Sequence, residues 1–368
     1  MQQFTRSFIL ITLILTSVFS QAQTERQFTL DDFYDYNPIL ERKVDEVFNK
    51  MNDTLRVGQL IVPAVGEHGK KTPHVVALAA KGYIGGVLLL NGTVDSFTDF
   101  VNQFDSIADT NGYLRPIYSA DAEPTLIKYK IKGTTPVPKT NMIKSKEEVV
   151  SVTKTISADL NKIGITQNFA PVIDASPNKT VSNSSFGLNM DTVISFSNLF
   201  IDETQKNGIV ATAKHFPGHG FVVGDTHKNL VNIDGEMKEV DNYKPVIKNG
   251  VLSIMVAHIA VKNNTKYNTD GLPSTCSRAI VTDLLKKDLK FRGLVITDAM
   301  NMGGVVAVPN SGLKAIMAGC DQLLMPVEEE KDIFDILTEL HANEDFKYQV
   351  YASVKKIIRM KICLGLID

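Results

Sequence analysis

Ile209-Val210-Ala211-Thr212-Ala213-Lys214-His215-Phe216-Pro217-Gly218-His219-Gly220 begins as an uncharged run and ends as a loop. The first five residues are too few and too evenly apolar for a surface helix, so they read as a strand buried on both faces. Proline and glycine then break the regular backbone, and Gly224-Asp225-Thr226-His227 follows a few residues on. Positions 214–227 hold a lysine, an aspartate and three of the seven histidines in the chain. A strand that runs into a loop of titratable side chains is where α/β enzymes place their chemistry.

Similar runs recur along the chain at 59–64, 86–90, 116–119, 167–173, 252–257, 293–297 and 322–325. Between them lie stretches with helical spacing, at 96–108, 146–162, 191–207, 237–248, 278–289 and 312–318. An amphipathic helix is expected at 39–48 and another at 346–364. Short unalternating strands joined by helices make a parallel sheet covered on both faces. With the run at 209–213, eight strands in one chain predict a (β/α)₈ barrel over an open doubly wound sheet. No Gly-x-Gly-x-x-Gly follows a strand, which speaks against a dinucleotide fold. No internal repeat or long linker interrupts the pattern.

Several side chains stand at the strand ends that form a barrel's active face. Asp298 follows Leu294-Val295-Ile296-Thr297. A carboxylate there can attack a sugar's anomeric carbon, or it can cap the next helix. Asp225 and His227 form an Asp-x-His pair in which the carboxylate can orient an imidazole that donates and recovers a proton; such a pair also occurs on ordinary surface loops. Lys214 and His215 read as polar ligands or as a structural ion pair and a satisfied core histidine. Asp121, after Ile117-Tyr118-Ser119-Ala120, can accept several hydroxyl hydrogen bonds or cap a helix. His258, after Met255-Val256-Ala257, reads equally as a pocket or a core residue. Asp174 reads as a second pocket or support residue, His219 as a shaper of its loop, and His68, His74 and His341 as surface or structural.

The Lys214–Gly220 run with Asp225-Thr226-His227 resembles the signature of glycoside hydrolase family 3, in particular its single-domain β-N-acetylglucosaminidases. Phe291-Arg292-Gly293-Leu294-Val295-Ile296-Thr297-Asp298-Ala299-Met300 is similar to the family's nucleophile strand, and 57–60, 84–87 and 168–174 match smaller elements, so the likeness runs over residues 38–365. The resemblance implies a retaining exo-β-glycosidase. Asp298 would be the nucleophile, His227 the acid/base and Asp225 its partner, while Asp121, Lys214 and His215 would bind sugar hydroxyls. Two arginines of the family pattern are missing. Asp121-Ala122-Glu123-Pro124-Thr125-Leu126-Ile127-Lys128-Tyr129-Lys130 contains none, and Ser184-Ser185-Phe186-Gly187 stands where the family has Arg-Ser-Phe-Gly. Lys128 or Lys130 is expected to fill part of that gap, as a point charge without the guanidinium fork. The implied substrate is a terminal N-acetylglucosamine on peptidoglycan fragments or chitooligosaccharides. The alternatives are a glycosidase or phosphorylase for another sugar, and a non-catalytic glycan-binding protein.

The 368 residues are 43% hydrophobic and 22% charged with a net charge of −2, a soluble composition with no basic field for nucleic acid. Arg6 and the apolar run 8–19 before Ser20-Gln21-Ala22 read as a secretory signal over residues 1–22, too short to span a bilayer. The expected product is an exported monomer, periplasmic or secreted, with one catalytic domain over 23–368 and no second α/β domain. No metal or organic cofactor is implied. Cys276, Cys320 and Cys363 have no ligand or redox spacing and are expected as buried free thiols.

Overall fold

The strand that begins at Val210 is an interior strand of a seven-stranded parallel sheet, one side of a closed barrel. The computed structural model describes residues 28–175 and 183–367; the expected signal segment lies outside them. The sheet runs in the order Leu294–Thr297, Ser253–Val256, Val210–Phe216, Gln167–Asn168, Ile117–Ala120, Gly86–Leu89, Ala64–Val65. A parallel pair, Ile61–Val62 with Leu323–Leu324, fills the gap between its edges. Pro63 splits the first strand, so Ile61 and Val62 pair with Leu323 and Leu324, whereas Ala64 and Val65 pair with Leu88 and Leu89. On the other side Asp321 N donates to Val295 O at 2.7 Å and Thr297 N to Gln322 O at 3.1 Å. These bonds complete the eight-position (β/α)₈ barrel, with every expected strand in place.

Helices surround it. The long helix Lys146–Ile163 starts at a capping box, in which Ser145 accepts from Glu148 N and Glu148 accepts from Ser145 N, and it stops at Gly164 with φ +94°. The segment expected as an α-helix near 278–289 winds with π-helical bonding over Ala279–Asp288. Helices at Thr72–Ala80 and Glu329–Ala342 lie outside the stretches singled out from sequence. A parallel ladder, Val231–Asp234 with Ile259–Lys262, stands on the barrel's active face.

Apolar side chains form two layers. The larger lies between strands and helices and includes Phe97, Phe104, Phe200, Ile254 and Val295. The smaller fills the barrel with Val62, Ala64, Leu88, Leu90, Phe169, Met255, Ile296 and Leu324. A polar patch of the interior is self-satisfied, with Gln167 Nε2 donating to Thr212 Oγ1 and Ser253 Oγ at 3.1 and 3.3 Å. The interior is a packed core, and its upper side becomes the floor of a cleft. All three cysteines are buried and unpaired. Among the described residues no helix is long and apolar enough to cross a membrane.

Candidate active site

A cleft of about 390 Å³ opens at the C-terminal ends of the strands. Leu88, Leu90, Met255 and Leu324 form its apolar part, and Asp121, Glu123, Lys130, Lys214, His215, His227 and Asp298 line the rest. Asp121, then Lys214, His215 and His227, and lastly Asp298, from three separate parts of the sequence, therefore share one concavity.

Lys214 lies near the end of the strand Val210–Phe216 and is buried. Its Nζ lies 2.9 Å from Asp121 Oδ1 and 2.7 Å from Glu123 Oε1. Burial alone would lower its pKa, but the two carboxylates raise it above the ordinary lysine value. Burial works against Asp121 in the same way, and Lys214 with Lys130 nevertheless holds its carboxyl below the usual range. The Lys214–His215 and Phe216–Pro217 peptides are cis.

Asp174 sits underneath. It accepts from His215 N and His219 N at 3.2 and 2.8 Å and contacts His215 Nδ1 at 2.9 Å. Burial pushes His215 down to about 4, so the ring is neutral. With Nδ1–H donated to Asp174, Nε2 is left as an acceptor for a hydroxyl. Glu239, at the start of the helix Val240–Lys248, secures the loop from its other side. Its Oε1 accepts from Ala175 N at 2.9 Å and its Oε2 from Gly220 N at 2.7 Å. A Cβ on Gly218 or Gly220 would lie 2.5 or 2.4 Å from Glu239 atoms, which is why both positions are glycine. Burial pushes Asp174 up to about 7 and, with repulsion from Asp174, Glu239 up to about 8.

Asp298 leaves its strand with N donating to Val256 O at 2.9 Å, and Oδ1 accepts from Ala299 N at 2.8 Å. His258 is buried beneath the next residue. Its Nε2 donates to Ala299 O at 2.9 Å, which leaves Nδ1 to accept from Thr275 Oγ1 at 2.9 Å. This corrects the pocket reading of His258: the chain has left the strand at Ala257, so the ring turns into the wall and supports the Asp298 turn.

Asp225 and His227 form the expected pair at 2.8 Å between Oδ1 and Nδ1, largely in solvent. The hydrogen bond from His227 holds Asp225 below the usual carboxylate range. The backbone of their loop docks on the segment after Asp298: Gly303 N donates to His227 O and Gly304 N to Thr226 O, both at 3.0 Å. A Cβ on Gly303 would lie 2.2 Å from Lys228 O, so only glycine permits this approach.

Lys128 is corrected as well. It is exposed, with its ammonium 4.7 Å from the Tyr129 ring centre, while Lys130 faces the cleft. Two residues apart on the turn Ile127–Lys130 means nearly opposite sides, so only one of the two lysines can point inward. Ser184, at the missing arginine's position, lines the cleft, as does His68, which is exposed. Sequence reasoning missed Glu123, Glu239 and the Gly303-Gly304 pair. The two-residue spacing of Glu123 from Asp121 was the one local hint. Among the described residues no group of three or more His, Cys, Asp or Glu could hold a metal ion.

Residues 54–360 match the family model "Glycosyl hydrolase family 3 N terminal domain". A β-hexosaminidase of Glaesserella parasuis is 32% identical over 195 residues, 50% of this chain and 56% of that protein. The chain spans about half the length of the curated relatives it matches. Among solved structures, a family 3 β-N-acetylglucosaminidase from Paenibacillus superposes with a TM-score of 0.78 at 22% identity, over 86% of this chain and 63% of that one. The β-glucoside phosphorylase BglX bound to 2FGlc superposes with a TM-score of 0.80 at 19% identity, over 90% of this chain and 62% of that one. At these identities the superpositions show the barrel fold.

Proposed function

The chain belongs to glycosyl hydrolase family 3, and on that premise we propose that it is a retaining exo-β-glycosidase releasing terminal N-acetyl-β-hexosamine, N-acetylglucosamine foremost, from peptidoglycan fragments or related glycans. The observation that carries this reading is the sharing of one cleft by Asp298, by His227 with its Asp225 partner, and by the hydroxyl-binding set Asp121, Lys214 and His215. The names of the most similar relatives support the hexosamine.

In the first step an Asp298 carboxylate oxygen bonds to the anomeric carbon as the glycosidic C–O bond breaks. His227, as imidazolium, gives its proton to the leaving oxygen. In the second step neutral His227 takes a proton from water, the water oxygen bonds to the anomeric carbon, and the bond to Asp298 breaks. Two displacements restore the original configuration. Asp225 favours the imidazolium and fixes its Nδ1–H. Burial lets Lys214 hold its partners in a low-dielectric wall, where fixed hydrogen bonds discriminate most. Arg6 and the apolar run 8–19, read as a secretory leader over residues 1–22, support export of this activity as part of the same proposal.

The test is turnover of 4-nitrophenyl N-acetyl-β-glucosaminide against the β-glucoside, with and without phosphate. Release of free N-acetylglucosamine, and labelling of Asp298 by a 2-fluoro glycosyl donor, are expected. A sugar 1-phosphate as product would make the protein a phosphorylase. No turnover of any β-glycoside would make it a glycan-binding protein.

A further inference from the structure

Glu123 is 3% exposed and lines the cleft beside Lys214. Its Oε1 is engaged by Lys214 Nζ at 2.7 Å, and its Oε2 is buried with no hydrogen-bond partner among the described residues. A buried carboxylate oxygen without a donor is costly, and native structures keep few of them. Lys214, which also holds Asp121 at 2.9 Å, accounts for Oε1 and leaves Oε2 unpaired. We propose that Glu123 is a specificity-determining residue of the sugar site, its carboxylate accepting a hydrogen bond from one hydroxyl of the terminal sugar.

The inference rests on the glycosidase reading and deepens it. Lys214 bridges Asp121 and Glu123, so the two carboxylates stand as a fixed pair of acceptors on one wall. An acceptor that cannot rotate away from its buried ion pair discriminates by what it is offered. A sugar hydroxyl donates to it, and a deoxy or O-alkylated position leaves it unpaired.

The experiment is kcat/KM for 4-nitrophenyl N-acetyl-β-glucosaminide and its 3-, 4- and 6-deoxy analogues, with the native protein and Glu123→Gln. In the native protein the deoxy analogue lacking Glu123's partner should lose roughly 10- to 100-fold. Glu123→Gln should lose a similar factor on the parent substrate and little more on that one analogue. A loss by the same factor on every substrate would overturn the proposal and leave Glu123 as a support for Lys214. Should Glu123→Gln not fold, Glu123→Asp keeps the charge and withdraws the carboxylate by one methylene, and it is read in the same way. If the native protein hydrolyses none of the series, the glycosidase reading fails. Calorimetric binding of methyl N-acetyl-β-glucosaminide and its deoxy analogues then tests Glu123 by the same pattern, and the absence of any binding overturns both.

Discussion

Replacing Glu239 by glutamine should change how stability depends on pH. In the native fold Glu239 is raised to about 8 by burial, with repulsion from Asp174 second. A free glutamate titrates near 4.3, so between those values the folded state holds a proton that the unfolded state has lost. A raised carboxyl pKa contributes stability that is complete below about pH 4 and is lost as pH climbs through 8. One such proton changes stability by at most about 1.4 kcal/mol per pH unit, hence about 2–3 kcal/mol from pH 6 to 8. At roughly 2 °C per kcal/mol for a domain of this size, that is about 4–6 °C in Tm. Glutamine cannot titrate, but it turns one acceptor into an NH₂ facing Gly220 N or Ala175 N, at about 1–3 kcal/mol. Glu239→Gln should therefore melt below the native protein at pH 6, and the gap should close by pH 8. Lys361, lowered to about 7, and Lys356, lowered to about 8, both chiefly by burial, titrate in the opposite sense. They are present in both proteins, so the difference between the two melting curves carries the test. Curves that stay parallel from pH 6 to 8 would refute the reasoning.

His227→Ala should slow glycosides with poor leaving groups far more than 4-nitrophenyl glycosides, because only the former need strong protonation, and Asp225→Ala should show the same pattern more weakly; equal losses would make the pair structural. Gly303→Ala puts a Cβ 2.2 Å from Lys228 O and should displace the His227 loop. Its kinetics should copy those of His227→Ala, and labelling of Asp298 by a fluorosugar should persist. Ser184→Arg should raise kcat/KM on N-acetylglucosaminides by roughly tenfold or more, by restoring a charge-assisted contact on the cleft wall. Unchanged kinetics would show that the wall has been rebuilt by other residues.

The barrel was legible because each strand is buried on both faces and so prints an unbroken apolar run, as at Ile209–Ala213, where every residue is inaccessible. Residues at the ends of those runs were legible for the same reason: Asp121, Lys214 and Asp298 are defined by strands that sequence alone can find. What stayed hidden depends on partners brought in from elsewhere. Glu239 is 64 residues from Ala175 and 19 from Gly220, and nothing near it in the chain marks a carboxylate that will be buried under a loop. His258 and Lys128 were misplaced by one geometric step each. The first stands beyond the last paired residue of its strand, where strand alternation no longer applies. The second is on the outward side of a single helical turn.

The exposed Asp225–His227 pair needs an anchor that its own chemistry does not supply. An ion pair in solvent contributes little, of the order of 0–1 kcal/mol, and cannot by itself hold an acid/base group over a sugar. The buried carboxylates Asp174 and Glu239 hold the first half of the loop, through His219 and Gly220. The second half, which carries His227, is held by the backbone donors Gly303 and Gly304. Those glycines belong to the segment that leaves Asp298, and that segment rests on His258 through Ala299 O. The proton donor is therefore positioned by the same turn that carries the nucleophile. A shift of that turn moves both groups together, so their separation is conserved while their place over the substrate changes. Substitutions at His258 or Gly304 should accordingly disturb nucleophilic attack and proton transfer together, whereas substitutions at Asp225 act on proton transfer alone.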